Sequence, residues 1–240
     1  MRQRACLVLL LVLWPLVARS GEIAEVSIGG VRIGMAVPDG YVPASRDAPA
    51  LFATSAAGMP PSIRLAEALV ATDDLKRAMA GLPMAQPYLQ VQVLRDAEAL
   101  AFTAAEWNAL RPVLAAQLGG LDLDAQMAPA QAGMGERMGE ASGTSIDVSY
   151  GELGTPRVLS QDGGVIRYAL RLPVSFAING VQSDVVLECA CSALVLGGKL
   201  LMLNAYVHED VEAGSTARVH AFLDHALANA RAVAPEAPSR

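Results

Sequence analysis

Four groups of side chains in this sequence have types and spacings that bear on chemistry. Cys189-Ala190-Cys191 sets two thiols two residues apart, which suggests a redox pair or a metal pair. His208-Glu209-Asp210 joins an imidazole to two carboxylates, and His220 and Asp224 stand four apart, a helical spacing that suits a divalent ion. Met127, Met134 and Met138 bring three thioethers into one Gly- and Ala-rich stretch, soft ligands of the kind that hold Cu(I). Gly143-Thr144-Ser145-Ile146-Asp147 offers a hydroxyl and a carboxylate with no histidine nearby in sequence.

Each group also has a plain structural reading. On a strand, Val185, Leu187, Cys189, Cys191 and Val195 share one apolar face, and burial raises a thiol's pKa and leaves it inert. Residues two apart on a strand lie about 6.6 Å apart with parallel Cβ vectors, a poor fit to a disulfide, so two free buried thiols are expected. Zinc asks for three or four ligands, and the histidines supply no second cluster. Methionine is common filler, and its Gly-Ala setting reads more simply as a linker. The sequence has no Gly-x-Ser-x-Gly elbow, no His-Glu-x-x-His helix and no glycine-rich phosphate loop followed by Lys-Ser/Thr. No catalytic residue and no cofactor is therefore assigned. The metal candidates are His208, Glu209, Asp210, Met127, Met134 and Met138.

The elements that would position these residues follow from pattern. Glu22 to Val37 reads as a hairpin around Gly29-Gly30, ended by Pro38-Asp39-Gly40-Tyr41. Residues 42–61 show no clear period and are expected as loop. Residues 62–71 read as a strand, and Thr72-Asp73-Asp74 caps a helix that Gly81 and Pro83 stop. Residues 87–93 alternate as a half-buried strand, with Leu89, Val91 and Val93 on one face and Tyr88 on the other. Thr103-Ala104-Ala105-Glu106 is a capping box, and Trp107, Leu110, Leu114 and Leu118 continue at helical spacing through Pro112, which kinks or restarts the helix. Residues 124–143 are expected as a flexible Met/Gly/Ala-rich segment. Strands follow at 145–150, 157–160, 165–178, 182–196 and 199–207, with hairpin turns at Asn179-Gly180 and Gly197-Gly198. An amphipathic helix spans 215–232 and a disordered tail 235–240. This order predicts an α+β fold, an antiparallel β-sheet with helices packed on it, in one domain over residues 21–234.

The N-terminus predicts an address. Arg2 and Arg4 precede the apolar run Ala5 to Ala18, and Ala18-Arg19-Ser20 places small residues for cleavage before Gly21, the order of a secretory signal peptide. The run is shorter than the ~20 residues a spanning helix needs, so an exported protein, periplasmic or secreted, with no membrane span in the mature chain is expected. Of three cysteines, Cys6 leaves with the leader. The net charge is −6, and losing Arg2, Arg4 and Arg19 makes the remainder more acidic. With no Lys/Arg cluster, nucleic-acid binding is disfavoured.

In Pro38-Asp39-Gly40-Tyr41, the Asn179-Gly180 and Gly197-Gly198 hairpins and the closing helix at 215–232, the sequence resembles the PsbP-like and DcrB-like α/β/α sandwiches. That resemblance implies a non-enzymatic protein that binds or helps assemble partners, and an envelope accessory role with an unknown protein or small-ligand partner is the leading expectation. The competing expectations are a hydrolase or redox enzyme with a dispersed site, and metal handling through the Met-rich segment. A pocket that joins a histidine, a nucleophile and a carboxylate would favour the enzyme; an apolar pocket would favour binding.

Overall fold

The computed structural model describes residues 22–79, 82, 84–209 and 214–233. The expected signal peptide and its cleavage point, the helix stop at Gly81 and Pro83, Asp210 and the expected disordered tail lie outside the described residues.

The chain opens with β1 (Ile23–Ile28) and β2 (Val31–Ala36), paired antiparallel around Gly29-Gly30 as the alternation predicts. Gly29 adopts φ +51°, and a side chain there would run into the carbonyl of Glu98 and the Lys199 ammonium, so the turn requires glycine for space as well as conformation. After β3 (Tyr41–Pro43) come α1 (Ala44–Asp47) and α2 (Pro49–Ala57), where the sequence suggested loop. These helices escape periodicity because α2 has no apolar stripe. It starts on Pro49, is rich in alanine, and buries none of its residues fully.

Then follow β4 (Ile63–Ala71), α3 (Thr72–Met79), β5 (Tyr88–Leu94) and α4 (Arg95–Glu98). The capping box at Thr103 is present in full and starts α5 (Ala104–Gly119), which runs through Pro112 without a restart. The stretch expected as a flexible segment holds two helices, α6 (Leu123–Gln131) and α7 (Met134–Ser142). Asp122 caps α6 by accepting from the Ala125 N–H at 3.0 Å. The glycines that obscured α7 serve packing: a Cβ on Gly135 would strike the Ile146 carbonyl, and one on Gly139 would come within 2.9 Å of the Thr144 carbonyl.

The C-terminal half consists of β6 (Ile146–Tyr150), β7 (Arg157–Ser160), β8 (Val165–Ile178), β9 (Val181–Leu196), β10 (Lys199–His208) and α8 (Ser215–Asn229). The closing helix ends earlier than its apolar stripe suggested, because Arg231–Ala232 forms β11 and pairs with β2. Strands β1, β2 and β11 make a small sheet; the large antiparallel sheet runs β3-β4-β5-β10-β9-β8-β6, with β7 also on β8. The protein is an α+β fold with helices packed on antiparallel sheets.

The large sheet has two faces of different character. One carries Leu89, Val91, Val93, Leu201, Leu203, Ala205 and Val207, all buried against the small sheet and α8 through Ile28, Ile33, Met35, Val219 and Leu223. The burial of so many large apolar side chains makes this the main stabilising core. The opposite face meets α5 through Trp107 and Ala115, and its thiols Cys189 and Cys191 are buried there. Trp107 donates its indole N–H to the Gly164 carbonyl at 2.6 Å, which fixes α5 on the sheet.

Candidate functional site

On this second face, beyond α5, the sheet and helices α2, α6 and α7 line a half-open cavity of about 410 Å³. Its floor is built by strand register. Gln90 of β5, Asn204 of β10, Cys191 of β9 and Tyr168 of β8 are successive cross-strand partners, and so are Tyr88, Tyr206, Cys189 and Leu170 in the next row. Side-chain period two then puts both rows on one face. Tyr88 and Tyr206 stack with ring centroids 5.1 Å apart, the offset packing expected of such a cross-strand pair. Leu172, Val174 and Phe176 extend the apolar floor along β8.

The roof is held by specific contacts. Arg137 of α7 donates from Nε to the Ala57 carbonyl at 3.0 Å and from Nη1 to the Ala132 carbonyl at 3.1 Å, tying together the ends of α2 and α6. Asp124 of α6 accepts from the Leu153 N–H at 3.1 Å. Tyr150 sets its hydroxyl 3.9 Å from the Met134 sulfur.

Met127, Met134 and Met138, singled out in the sequence, all line this cavity, and Met59 and Met202 join them. Thioethers on flexible unbranched chains give an apolar wall that adapts its shape. Cys191 lines the same cavity, while Cys189 sits beside it in the core; both are free and buried, as their shared face predicted. Burial pushes both thiols well above the ordinary thiol range, for Cys191 against the smaller pull of its hydrogen bond with Tyr168. Burial likewise raises the phenols of Tyr88, Tyr168 and Tyr206. These groups are neutral near pH 7 and are unsuited to acid–base work there.

Three amides interrupt the apolar lining. Gln90 is 9% exposed, and Gln92 and Asn204 are each 5% exposed. Asn204 donates from Nδ2 to Gln92 Oε1 at 3.0 Å, and Gln92 donates from Nε2 to Gln90 Oε1 at 2.7 Å and to the Tyr206 hydroxyl at 3.3 Å. No protein group among the described residues donates to Asn204 Oδ1. The sequence signal for this network was present: Tyr88, Gln90 and Gln92 alternate with Leu89, Val91 and Val93. A polar alternate face reads as solvated, and only the non-local pairing of β5 with β10 turns it inward.

The other sequence candidates lie elsewhere. His208 is buried at the end of β10, and Glu209 pairs with Arg171 at 2.5 Å. Asp224 of α8 pairs with Arg167 of β8. Asp147 is exposed on the edge strand β6. Among the described residues, no three His, Cys, Asp or Glu side chains stand together in a metal-holding group. The buried charges have structural partners: Glu67 accepts from Ser45, Asp74 accepts from the Ala85 and Gln86 N–H groups, and Lys199 donates to the carbonyls of Glu98, Ala99 and Leu100. Among the described residues, no helix is long and apolar enough to cross a membrane.

No protein-family model matches the chain, and no curated protein matches its sequence. Among solved structures, the chain resembles at the level of topology the solution structure of cyanobacterial PsbP (CyanoP) from Synechocystis sp. PCC 6803. That match has a TM-score of 0.34 at 12% identity and covers 89% of this chain and 94% of the other. The likeness is one of element order, and no activity is carried across from it.

Proposed function

We propose that this protein is a non-enzymatic binding protein that holds an apolar small molecule between the large sheet and its helical roof. The observation that carries this reading is the lining of the 410 Å³ cavity. It is formed by aromatic, aliphatic and methionine side chains with a few amides, and among the described residues no Asp, Glu, His, Lys or Arg lines it. A concave, mostly apolar space with a few convergent polar groups is the form small-molecule sites take. Hydrolysis would need a base beside a nucleophile, and among the described residues this cavity brings none to Cys191 or Ser55. Titration with the neutral, polarity-sensitive dye Nile red tests the reading. The wild-type protein should bind it at micromolar concentration, and Leu172→Trp, which fills the cavity, should weaken binding at least ~10-fold without loss of fold. Equal dye binding by the two proteins would reject the cavity as the site.

A second reading is favoured by one observation: the walls gather Met59, Met127, Met134, Met138 and Met202, soft donors for Cu(I). Native mass spectrometry with Cu(I) under reducing conditions separates the two. The apolar-ligand reading expects an unchanged mass at stoichiometric metal.

The N-terminal pattern of Arg2, Arg4, the apolar run and Ala18-Arg19-Ser20 supports export with cleavage before Gly21. The ligand would then be met in the envelope or outside it. N-terminal sequencing of exported material is expected to start at Gly21; a start at Met1 would refute the assignment.

A further inference from the structure

We infer that the occupant of the cavity is an uncharged molecule that presents one hydrogen-bond donor, a hydroxyl or an amide N–H, to Oδ1 of Asn204. The inference rests on the cavity being a ligand site, and it specifies what that site selects.

Asn204 is 5% exposed, yet it belongs to the cavity wall. Its Nδ2 is committed to Gln92 Oε1, and Gln92 Nε2 is committed in turn to Gln90 Oε1 and the Tyr206 hydroxyl. The chain of amides therefore runs in one direction along the sheet and ends on an acceptor. Buried side-chain acceptors in folded proteins almost always meet a donor, and an exception calls for a specific explanation. Among the described residues no protein donor meets Oδ1, and the neighbours of Asn204 in register are Gln90 on one side and Cys191 on the other. A ligand donor does supply one. It would complete the network and so be read with more discrimination than the apolar walls provide.

The same lining sets the charge of the ligand. A carboxylate or ammonium carried to the floor of this space would meet no opposite charge among the described residues that line it, and an unpaired ion in a low-dielectric setting is strongly disfavoured. Fatty acids and amines with the charged head at Asn204 are thus disfavoured, and a long-chain alcohol or primary amide fits. The polar end lies at Asn204, while the chain runs along Leu170, Leu172, Val174 and Phe176 toward the methionines.

The test uses wild-type protein and displacement of Nile red by four ligands of one chain length: dodecanol, its methyl ether, dodecane and dodecanoate. The alcohol keeps the donor, the ether keeps only the acceptor, the alkane has neither, and the acid adds charge. Dodecanol should bind ~10-fold or more tightly than the ether or the alkane, and dodecanoate should be the weakest at pH 8. Equal displacement by alcohol, ether and alkane would overturn the donor assignment while leaving an apolar-ligand site standing. Tightest binding by dodecanoate would overturn the exclusion of charge. Displacement by none of the four would reject the ligand site itself. Asn204→Leu should bring alcohol and ether to equal affinity, and a variant still preferring the alcohol would place the recognition elsewhere. Should Asn204→Leu fail to fold, the wild-type series alone decides the matter.

Discussion

Asn204 on β10 donates its side-chain N–H to Gln92 on β5 at 3.0 Å along a diagonal, because the residue directly opposite Asn204 is Gln90. That diagonal joins two strands more than a hundred residues apart in the chain and puts three amides in a row on an otherwise apolar floor. Gln92→Leu removes the acceptor for Asn204 and the donor for Gln90 together. It should destabilise the fold by about 1–3 kcal/mol in urea unfolding, since buried polar groups are left unpaired. Replacing Gln90, Gln92 and Asn204 all by Leu should cost less than the single change, which makes the comparison diagnostic.

Gly135 lets α7 lie on β6, and a Cβ there would collide with the Ile146 carbonyl. Gly135→Leu should therefore lift the roof helix. Faster backbone amide exchange is expected across residues 123–142, together with loss of dye binding, while exchange in β5 and β10 stays slow. Protection unchanged in both regions would show that the roof does not depend on this contact.

Gly29→Ala should be costly for a different reason. The residue holds φ +51°, and its missing side chain leaves room for Lys199 to donate to the carbonyls at the end of α4. Strain and steric conflict act together, and thermal unfolding should report a loss of at least about 2 kcal/mol.

The thiols supply a pH prediction. Cys189 and Cys191 have pKa values raised by burial above an ordinary value of 9.0, and Tyr88, Tyr168 and Tyr206 are raised in the same way above 10.0. An acid whose folded pKa is raised stays protonated in the native state while the unfolded chain releases its proton. The stability contribution is complete below the ordinary thiol value. It is lost as pH rises through 9 toward the folded values, by up to about 1.4 kcal/mol per pH unit for each group. Urea midpoints should be flat from pH 6 to 8 and fall steeply above 9. A disulfide-exchange reagent at pH 8 should label both cysteines only after unfolding, and rapid native labelling would contradict their placement.

Much of the fold was legible because its signals are local. The Gly29-Gly30, Asn179-Gly180 and Gly197-Gly198 turns, the Thr103 capping box and the shared face of the two cysteines all depend on residues a few positions apart. Helices α2, α6 and α7 were not legible as helices. The alanines of α2 and α6 form no apolar stripe, and Gly135 and Gly139 of α7 are explained only by β6 and the residues leading into it. The site was legible in part. Met127, Met134 and Met138 drew notice as soft ligands, and the structure places them as walls of the cavity. Gln90, Gln92 and Asn204 drew none, since polar residues on a strand's second face look solvated until a distant strand and three helices cover them. Pairing of β5 with β10 is a non-local fact, and no local pattern carries it.

The sequence contains nine methionines, and five of them, Met59, Met127, Met134, Met138 and Met202, line the cavity, whereas Met35 lies in the core on the other face of the sheet. Methyl spectra of methionine-labelled protein titrated with dodecanol therefore test the binding site directly. The account expects the five cavity methyls to shift together and saturably while the Met35 methyl stays in place. Saturable shifts at Met35 with the five unmoved, or no shift at any methyl, would contradict it.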